Sequence, residues 1–343
     1  MRKPSTMADV ARRAGVSTAT VSNVLGRKRV VAADLADRVH QAAAELDYQI
    51  DRAASLLRSG RSSVVAIVVP SLDNPFFTGL IASVERAIKG EGYDIIVCSS
   101  NDEDATERQR IAAMLSWKPA GLIVVPCSDG FPARDLVDFS QVPAVVVDRV
   151  AGIEGMSSVA IDNAQAARLA ADHLIALGHT DILISASSLS LANIRERCGG
   201  ITAAMAEARL PPPAILEVGH SFESVAGALE RHLASHGQPT AIIALTNTAT
   251  IGVLGAARDL GIRIPEDLSL VGFDDYAWMS SSTPSISAVR QPIDLLGAAA
   301  WEQLRIQLAD GDASPSALVF TCKLELRQSS RAATSARMVR SIQ

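Results

Sequence analysis

The sequence predicts two unlike parts: an all-α head of three short helices, and an α/β body made of two doubly wound parallel-sheet subdomains. Two observations lead to this prediction. Three sets of apolar residues at helical spacing, the first two preceded by a capping residue, occupy residues 6–48. From Val64 onward, short apolar runs alternate with amphipathic stretches, as β-α repetition requires. A chain of 343 residues is also long enough for two or three domains.

The first two helices of the head are predicted from their capping residues. Thr6 can cap a helix over Met7–Ala14, and Gly15 then provides a C-terminal stop. Ser17 can cap a second helix over Thr18–Leu25. Two short helices joined by such a turn form a helix-turn-helix.

A third helix is predicted from about Ala33 to Leu46, because its apolar residues recur at helical spacing. The three helices can enclose one small core. The predicted core residues are Val10, Val16, Val21 and Val39. A generic three-helix bundle would satisfy the same pattern, so the pattern alone leaves two interpretations open.

The second helix is the candidate DNA-reading helix, because a helix that enters the major groove contacts base edges with its first residues. The candidate base-contacting residues are Thr18, Ala19, Thr20, Ser22 and Asn23, with Arg29 available to a phosphate. Charge favours the same end of the chain. Residues 1–62 carry 11 Lys and Arg against 6 Asp and Glu, whereas the remainder carries 21 against 31. A basic head on an acidic body indicates that only the head meets a polyanion.

The string from Met7 to Leu25 resembles the headpiece of the lactose-repressor (LacI/GalR) family, and residues 31–48 are similar to that family's third helix. The resemblance implies a transcription regulator, in most cases a repressor, that binds double-stranded operator DNA. It also implies a homodimer, because two-fold symmetry matches a near-palindromic operator. The expected location is the cytoplasm, in association with the nucleoid.

Residues 50–62 are similar to the hinge helix of the family, which orders on operator DNA. The resemblance places Ala54, Leu57 and Arg58 against the DNA, with Leu57 as a wedge in the minor groove. Two residues depart from the family pattern. Ile50 stands where proline is common, and Ser55 stands where arginine is common. The hinge is therefore expected to start less sharply and to contact fewer phosphates.

The body is predicted to contain two series of buried parallel strands. The first series covers residues 64–70, 94–99, 121–126 and 143–148. The second series covers residues 181–186, 215–219, 241–245 and 268–272. Two series imply two subdomains with a cleft between them, and ligands bind at the carboxyl ends of such strands.

The body also resembles the lactose-repressor family, most distinctively in the string Ile264–Asp275, and the resemblance extends over about residues 6–330. It implies a periplasmic-binding-protein-like sensor with three crossovers, near Asn163, near Arg290 and within one final strand over residues 317–326. The predicted divisions are a DNA-binding domain over 1–49, a hinge over 50–62, an effector domain over 63–330 and a tail over 331–343. Within the effector domain, residues 63–161 and 291–318 form the first subdomain, and residues 162–290 and 319–330 form the second.

The resemblance implies a set of effector-binding residues in the cleft. They are Phe76, Asp148, Asn193, Arg195, Arg197, Thr246, Asp274 and Trp278, with Tyr276 as a weaker candidate. Carboxylates and a guanidinium can bind paired hydroxyl groups, while an aromatic face covers an apolar ring face. The pair Thr246-Asn247 departs from the Asn-Asp that the family commonly has, so contacts to the effector are expected to differ there.

A sugar or sugar derivative is the favoured effector, and a nucleobase or nucleoside is the alternative. No GxSxG, P-loop or HExxH motif occurs, so the sequence does not favour an enzyme. A sugar-binding transport protein of the same fold would need a secretory signal, which the opening residues do not resemble. Four widely spaced cysteines predict no metal site, and neither a cofactor nor a membrane span is expected. The tail has no leucine heptads, so no coiled-coil assembly of dimers is predicted.

Overall fold

The computed structural model describes residues 5–25, 31–48 and 62–333. The hinge prediction lies outside the described residues, as do the predicted DNA contacts Arg29, Ala54, Leu57 and Arg58. The head contains the helices α1 (Met7–Ala14), α2 (Thr18–Leu25) and α3 (Ala33–Glu45). These bounds confirm the three predicted helices to within one residue.

The predicted caps of the head helices are present. The Thr6 hydroxyl accepts the N–H of Asp9 at 3.3 Å, and the Asp9 carboxylate accepts the N–H of Thr6 at 3.0 Å. This reciprocal capping box starts α1, and Gly15 ends it with a left-handed φ of 65°. Ser17 accepts the N–H of Thr20 at 3.1 Å and starts α2. The turn between the helices is therefore specified by local chemistry.

The core of the head is small and apolar. Val10, Val21 and Val39 have no exposed surface, and the partly buried Val16 packs against them. Arg38 of α3 donates to the carbonyl of Ala14 at 2.5 Å, which ties the third helix to the end of α1. Helices of eight residues are too short to persist alone, so this shared core holds α1 and α2 in place.

The first subdomain of the body is defined here by its six-stranded sheet. Its strands are β1 (Val64–Val69), β2 (Asp94–Ser99), β3 (Gly121–Val124), β4 (Ala144–Val147), β5 (Ser157–Ile161) and β11 (Ala317–Phe320). Its helices are α4 (Pro75–Ile88), α5 (Asp104–Ser116), α6 (Arg134–Ser140) and α12 (Ile293–Ala309).

The second subdomain is defined by the other sheet. Its strands are β6 (Ile182–Ala186), β7 (Ala214–Glu217), β8 (Ala241–Ala244), β9 (Ser269–Phe273), β10 (Ser287–Arg290) and β12 (Lys323–Glu325). Its helices are α7 (Asn163–Ala176), α8 (Ala192–Glu207), α9 (Phe222–His236), α10 (Asn247–Asp259) and α11 (Ala277–Ser281).

The two sheets repeat one topology. The first has the order β11-β5-β4-β3-β1-β2, and the second has the matching order β12-β10-β9-β8-β6-β7. Neighbouring strands are parallel except for β10 and β12, which pair antiparallel. Helices connect most successive strands in both subdomains, so the predicted doubly wound α/β fold class is confirmed. No helix of the described residues is long and apolar enough to cross a membrane.

The prediction of one final strand over residues 317–326 is wrong. The chain pairs β11 with β5 of the first sheet, and after Thr321 and Cys322 it pairs β12 with β10 of the second sheet. The segment is therefore two short strands in two different sheets, with the crossing between them. The prediction also omitted β5, whose serines Ser157 and Ser158 interrupt the apolar run although both are buried.

Close contact between α7 and α8 depends on Gly200. A Cβ atom at Gly200 would lie 2.1 Å from the carbonyl oxygen of Ala164, which is far inside van der Waals contact. Absence of a side chain therefore lets α8 approach the first turn of α7. The approach brings Arg197 of α8 to Asn163, the first residue of α7. The packing of α8 against α7 therefore sets the position of the Arg197 side chain.

We predict that Gly200→Ala lowers the free energy of unfolding by about 1–3 kcal/mol, because the clash is with backbone atoms that cannot rotate away. Gly199→Ala is the matched control. Gly199 is exposed on the same helix, with nothing within 4 Å of an added Cβ. It should be neutral or stabilising by up to about 1 kcal/mol. Urea unfolding of both variants measures the difference, and equal midpoints would contradict the prediction.

Candidate functional site

A cavity of about 410 Å³ lies between the two subdomains, at the carboxyl ends of their strands. Six of the predicted effector residues line it: Phe76, Asp148, Asn193, Arg197, Thr246 and Asp274. Phe76 and Asp148 come from the first subdomain, and the other four come from the second. Identical strand orders make this convergence possible, because equivalent loops of both sheets open toward one space.

Asp148 and Asp274 occupy equivalent positions in the two subdomains. Asp148 follows β4 and Asp274 follows β9, and their φ angles are 67° and 65°. Each donates its N–H to the neighbouring strand at 2.9 Å, Asp148 to the carbonyl of Val159 and Asp274 to that of Val289. Aspartate tolerates this left-handed conformation better than most residues. The two turns therefore present carboxylates to the cavity from opposite sides.

Both carboxyl groups are buried, and burial raises the pKa of each above its usual range. The positive charge of Arg197 opposes this rise at both groups. Each carboxylate also accepts a hydrogen bond from a carboxamide. Asn193 donates to Asp148 at 3.3 Å, and Gln291 donates to Asp274 at 2.6 Å. Two Asp–carboxamide pairs thus line the cavity, one at each equivalent turn.

The carboxamide oxygens of these pairs have no hydrogen-bond partner among the described residues. Asn193 Oδ1 and Gln291 Oε1 are both buried, in residues that are 8% and 5% exposed. Because a carboxylate only accepts, the amide nitrogen must face it, and the oxygen must face away. Buried unpaired acceptors are costly, and the lining carboxylates Asp148 and Asp274 are acceptors as well, so the cavity favours a ligand that supplies hydrogen-bond donors.

Arg197 is held rigidly. Its Nε donates to Asn163 Oδ1 at 2.9 Å, and its Nη1 donates to the carbonyl of Leu245 at 2.8 Å. Its guanidinium carbon lies 3.9 Å from the centroid of the Phe273 ring, a cation–π contact. The side chain therefore reaches the cavity with its geometry fixed by α7, by the end of β8 and by β9.

A second arginine in the lining, Arg149, is neutralised by its own subdomain. It pairs with Asp102 at 2.6 Å and donates to the carbonyl of Cys127 at 2.7 Å. The lining also includes Asp73. Acidic side chains therefore outnumber cations that lack a carboxylate partner, which favours an uncharged ligand over an anionic one.

Three predicted residues lie outside the cavity lining. Asn193 and Arg197 are four residues apart and share one face of α8, whereas Arg195 projects from the exposed face. Trp278 donates its indole N–H to Asn247 Oδ1 at 3.1 Å and packs beside Met279, so it supports the start of α10. Tyr276 is likewise absent from the lining.

Sequence reasoning missed Gln291 as a cavity residue. It directly follows β10, a strand that the sequence analysis interpreted only as a crossover. Thr246 lines the cavity as predicted, and its hydroxyl also accepts the N–H of Ala249 at 3.1 Å to cap α10. Strand-end position was the signal that could have found Gln291, since Asp148 and Asp274, which the family resemblance indicated, also directly follow strands.

The outer face of α2 carries short side chains without charge. Thr18 and Ala19 are exposed, whereas Val21 and Val24 are buried in the core of the head. The predicted contacts Thr20, Ser22 and Asn23 are partly exposed. Such a face can approach base edges closely, as a groove-reading helix requires. Within the described residues no group of three His, Cys, Asp or Glu side chains is arranged to hold a metal ion.

Two family models match the chain. The model for bacterial regulatory proteins of the lacI family matches residues 6–51, and the model for a periplasmic binding protein-like domain matches residues 171–330.

Relatives extend the match over most of the chain. The HTH-type transcriptional repressor PurR of Edwardsiella ictaluri (strain 93-146) is 32% identical over 306 residues, covering 88% of this chain and 89% of the relative. The ribose operon repressor of Escherichia coli (strain K12) is 31% identical over 304 residues, covering 88% and 92%. The crystal structure of the lac repressor dimer bound to operator and the anti-inducer ONPF has a TM-score of 0.84 at 28% identity. That match covers 96% of this chain and all of that one.

The head and the body described above thus recur together in proteins named as transcription regulators. Their similarity to this chain exceeds 30% identity over more than two thirds of its length. The chain belongs to the lacI family of bacterial regulatory proteins, and it is a DNA-binding transcription regulator rather than an enzyme.

Proposed function

We propose that the chain is a repressor whose affinity for operator DNA is controlled by a sugar or sugar derivative bound between the subdomains. The convergence of Asp148, Asn193, Arg197, Asp274 and Gln291 on one cavity is the observation that carries the proposal. These side chains offer buried acceptors and one fixed cation. Neighbouring hydroxyl groups of a sugar can donate to the acceptors and accept from the guanidinium.

A nucleobase or nucleoside is the alternative effector, and the aromatic residues of the lining favour it less. Phe76 and Phe77 meet edge to face, with ring centroids 5.3 Å apart and an interplanar angle of 73°. A flat base prefers parallel aromatic faces, which this pair does not offer. The name of the ribose operon repressor, a relative at 31% identity, also supports a sugar.

DNA binding is proposed to reside in residues 1–62, with α2 in the major groove and the chain acting as a homodimer. The head presents a small, rigid helix-turn-helix, and one head alone can cover only part of an operator. In the homodimer, each protomer has one first subdomain and one hinge, predicted over residues 50–62. The hinges would couple the pairing of the two protomers' first subdomains to binding in the minor groove. A regulator of this family acts in the cytoplasm, and association with the nucleoid is part of the proposal.

The effector is proposed to act by changing the angle between the subdomains. Asp148 and Asp274 stand on opposite sides of the cavity, so a ligand that binds both favours one relative arrangement. A ligand shifts such an equilibrium only by its difference in affinity for the two arrangements. Coupling between the effector and DNA is expected to be about 1–3 kcal/mol, as in other two-state regulators.

A thermal-shift screen of the full chain against neutral sugars, nucleobases and nucleosides tests the effector class. A gel-shift assay on the DNA upstream of its own coding sequence follows, with and without each stabilising compound. The proposal expects a neutral sugar both to raise the melting temperature and to change DNA affinity. Stabilisation by nucleobases or nucleosides alone would establish the alternative.

Ala19 is predicted to set base preference, because it is exposed at the start of α2. Ala19→Gln should change the preferred operator sequence and cost about 1–3 kcal/mol on the original one, which is the usual value of one base contact. Selection from a randomised operator library measures the change. Asp34→Asn, on the exposed start of α3, is the control. An unchanged preference in the Ala19 variant would show that α2 does not read bases at this residue.

Asp274→Asn is predicted to lower the affinity for the effector identified by the screen about 10- to 150-fold. This factor corresponds to the loss of one hydrogen bond to a charged group. Operator affinity without effector should remain as in the parent. Arg197→Ala should abolish the effector response, because among the described residues it removes the only arginine or lysine of the lining that is not paired with a carboxylate. Calorimetry gives the affinities, with Asp172→Asn on the surface of α7 as the control. A normal response in both cavity variants would contradict the placement of the effector.

A further inference from the structure

A contact outside the cavity joins the two subdomains. Arg195 Nη2 donates to Asp129 Oδ2 at 2.6 Å, and the backbone N–H of Ala192 donates to Asp129 Oδ1 at 3.0 Å. Asp129 belongs to the first subdomain, between β3 and α6, whereas Ala192 and Arg195 belong to α8 of the second. Neither Asp129 nor Arg195 lines the cavity. The side chain that the sequence suggested as an effector ligand therefore binds the opposite subdomain instead.

The loop that carries Asp129 is anchored within the first subdomain. The N–H of Gly130 donates to the carbonyl of Ala151 at 2.8 Å, and the side chain of Phe131 is buried in the core. The N–H of Cys127 donates to the buried carboxyl group of Glu107 at 2.6 Å. Anchors on both sides of Asp129 fix the position of its carboxylate.

The partner side of the contact is anchored equally well within the second subdomain. Arg195 Nη1 donates to the carbonyls of Leu189 and Ser190 at 2.9 and 2.7 Å. The N–H of Leu189 in turn donates to the Glu217 carboxylate at 2.9 Å. Both halves of the contact are thus built before they meet, so little conformational freedom is lost when they do.

The bond from Ala192 can form only between the subdomains. Ala192 is the first residue of α8, where a backbone N–H has no acceptor within its own helix. The residue before it, Leu191, has no side chain that could cap the helix. Asp129 supplies the missing acceptor from the other subdomain and places a negative charge at the positive end of the helix. Separation of the subdomains would leave this N–H to water.

We propose that Asp129 and Arg195 form an interdomain latch that sets the equilibrium between the open and closed arrangements of the subdomains without touching the effector. Its regulatory consequence rests on the proposed function, since closure matters only if the cavity controls DNA affinity. A second contact across the cleft, from Asn193 to Asp148, lies in the cavity lining, where a bound effector can replace it. The latch lies outside that lining, so an effector in the cavity does not compete with it for the same groups.

The latch is weak enough to open. Its Arg195 side chain is 49% exposed and its Asp129 side chain is 30% exposed, so salt screens the pair. A contact of this strength shifts the populations of the open and closed arrangements and does not lock the protein in one of them.

Hydrogen exchange at the Ala192 amide tests the latch in the full chain, without effector and without DNA. Mass spectrometry with residue-level fragmentation follows this amide. Asp129→Ala should accelerate its exchange about tenfold or more, which is the loss of one hydrogen bond to a charged group. Arg195→Gln should accelerate it less, because Asp129 can still accept from Ala192.

The matched control is Arg168→Gln. It breaks an ion pair between Arg168 of α7 and Glu207 at the end of α8, with side-chain exposures of 38% and 61%. Both partners belong to the second subdomain, so the Ala192 amide should exchange as in the parent. Equal exchange at Ala192 in the parent and in Asp129→Ala would overturn the proposal.

Small-angle scattering tests whether the latch controls closure. Raising the salt from about 0.1 M to 1 M shortens the Debye length from about 10 Å to 3 Å and should enlarge the parent's radius of gyration. The Asp129→Ala variant should have the larger radius of gyration already at low salt, and raising the salt should change it little. Faster exchange without any change in scattering would reduce Asp129 to a local helix cap and overturn the latch. Because neither measurement uses an effector, either result is separate from the proposed effector class.

Discussion

Burial of two carboxyl groups beside one cavity is the constraint on which the body of the protein depends. Asp148 and Asp274 lose water on folding, and each therefore requires donors and a nearby positive charge. Arg197 supplies the charge for both, and Asn193 and Gln291 supply the donors. Arg197 can do so only because α8 passes close to α7. The cavity is therefore a property of the packed subdomains and not of any single loop.

The repeated topology explains why the cavity is formed from both sides. Each sheet ends equivalent strands in a left-handed aspartate, and the two subdomains turn these ends toward each other. Apart from the crossover residue Gln291, which bonds to Asp274, direct polar contacts bridge the cleft at two places in the part of the chain that the structure describes. Asn193 meets Asp148 in the cavity, and the Asp129 latch lies outside it. The first contact is buried and the second is partly exposed, and so small a number of contacts permits relative motion of the subdomains, which a regulator needs.

The head and the body separate two physical tasks. The head has a small core around Val10, Val21 and Val39 and an uncharged outer face on α2, which suits close approach to base edges. The body has extensive apolar cores on both faces of its sheets and carries the excess of acidic residues. Negative charge on the body disfavours contact with DNA phosphates, which supports the proposal that the basic head binds the DNA.

The sequence by itself determined the helix boundaries of the head, because local interactions set them. Thr6, Gly15 and Ser17 cap or stop the helices at the predicted residues. It also determined the alternation of strands and helices, and strand-end position together with the family resemblance pointed to Asp148 and Asp274. Only the tertiary structure decided that residues 317–326 divide between two sheets, that Gln291 enters the cavity and that Arg195 leaves it. Those outcomes depend on which distant segments meet across the cleft, and such contacts have no signature in local spacing.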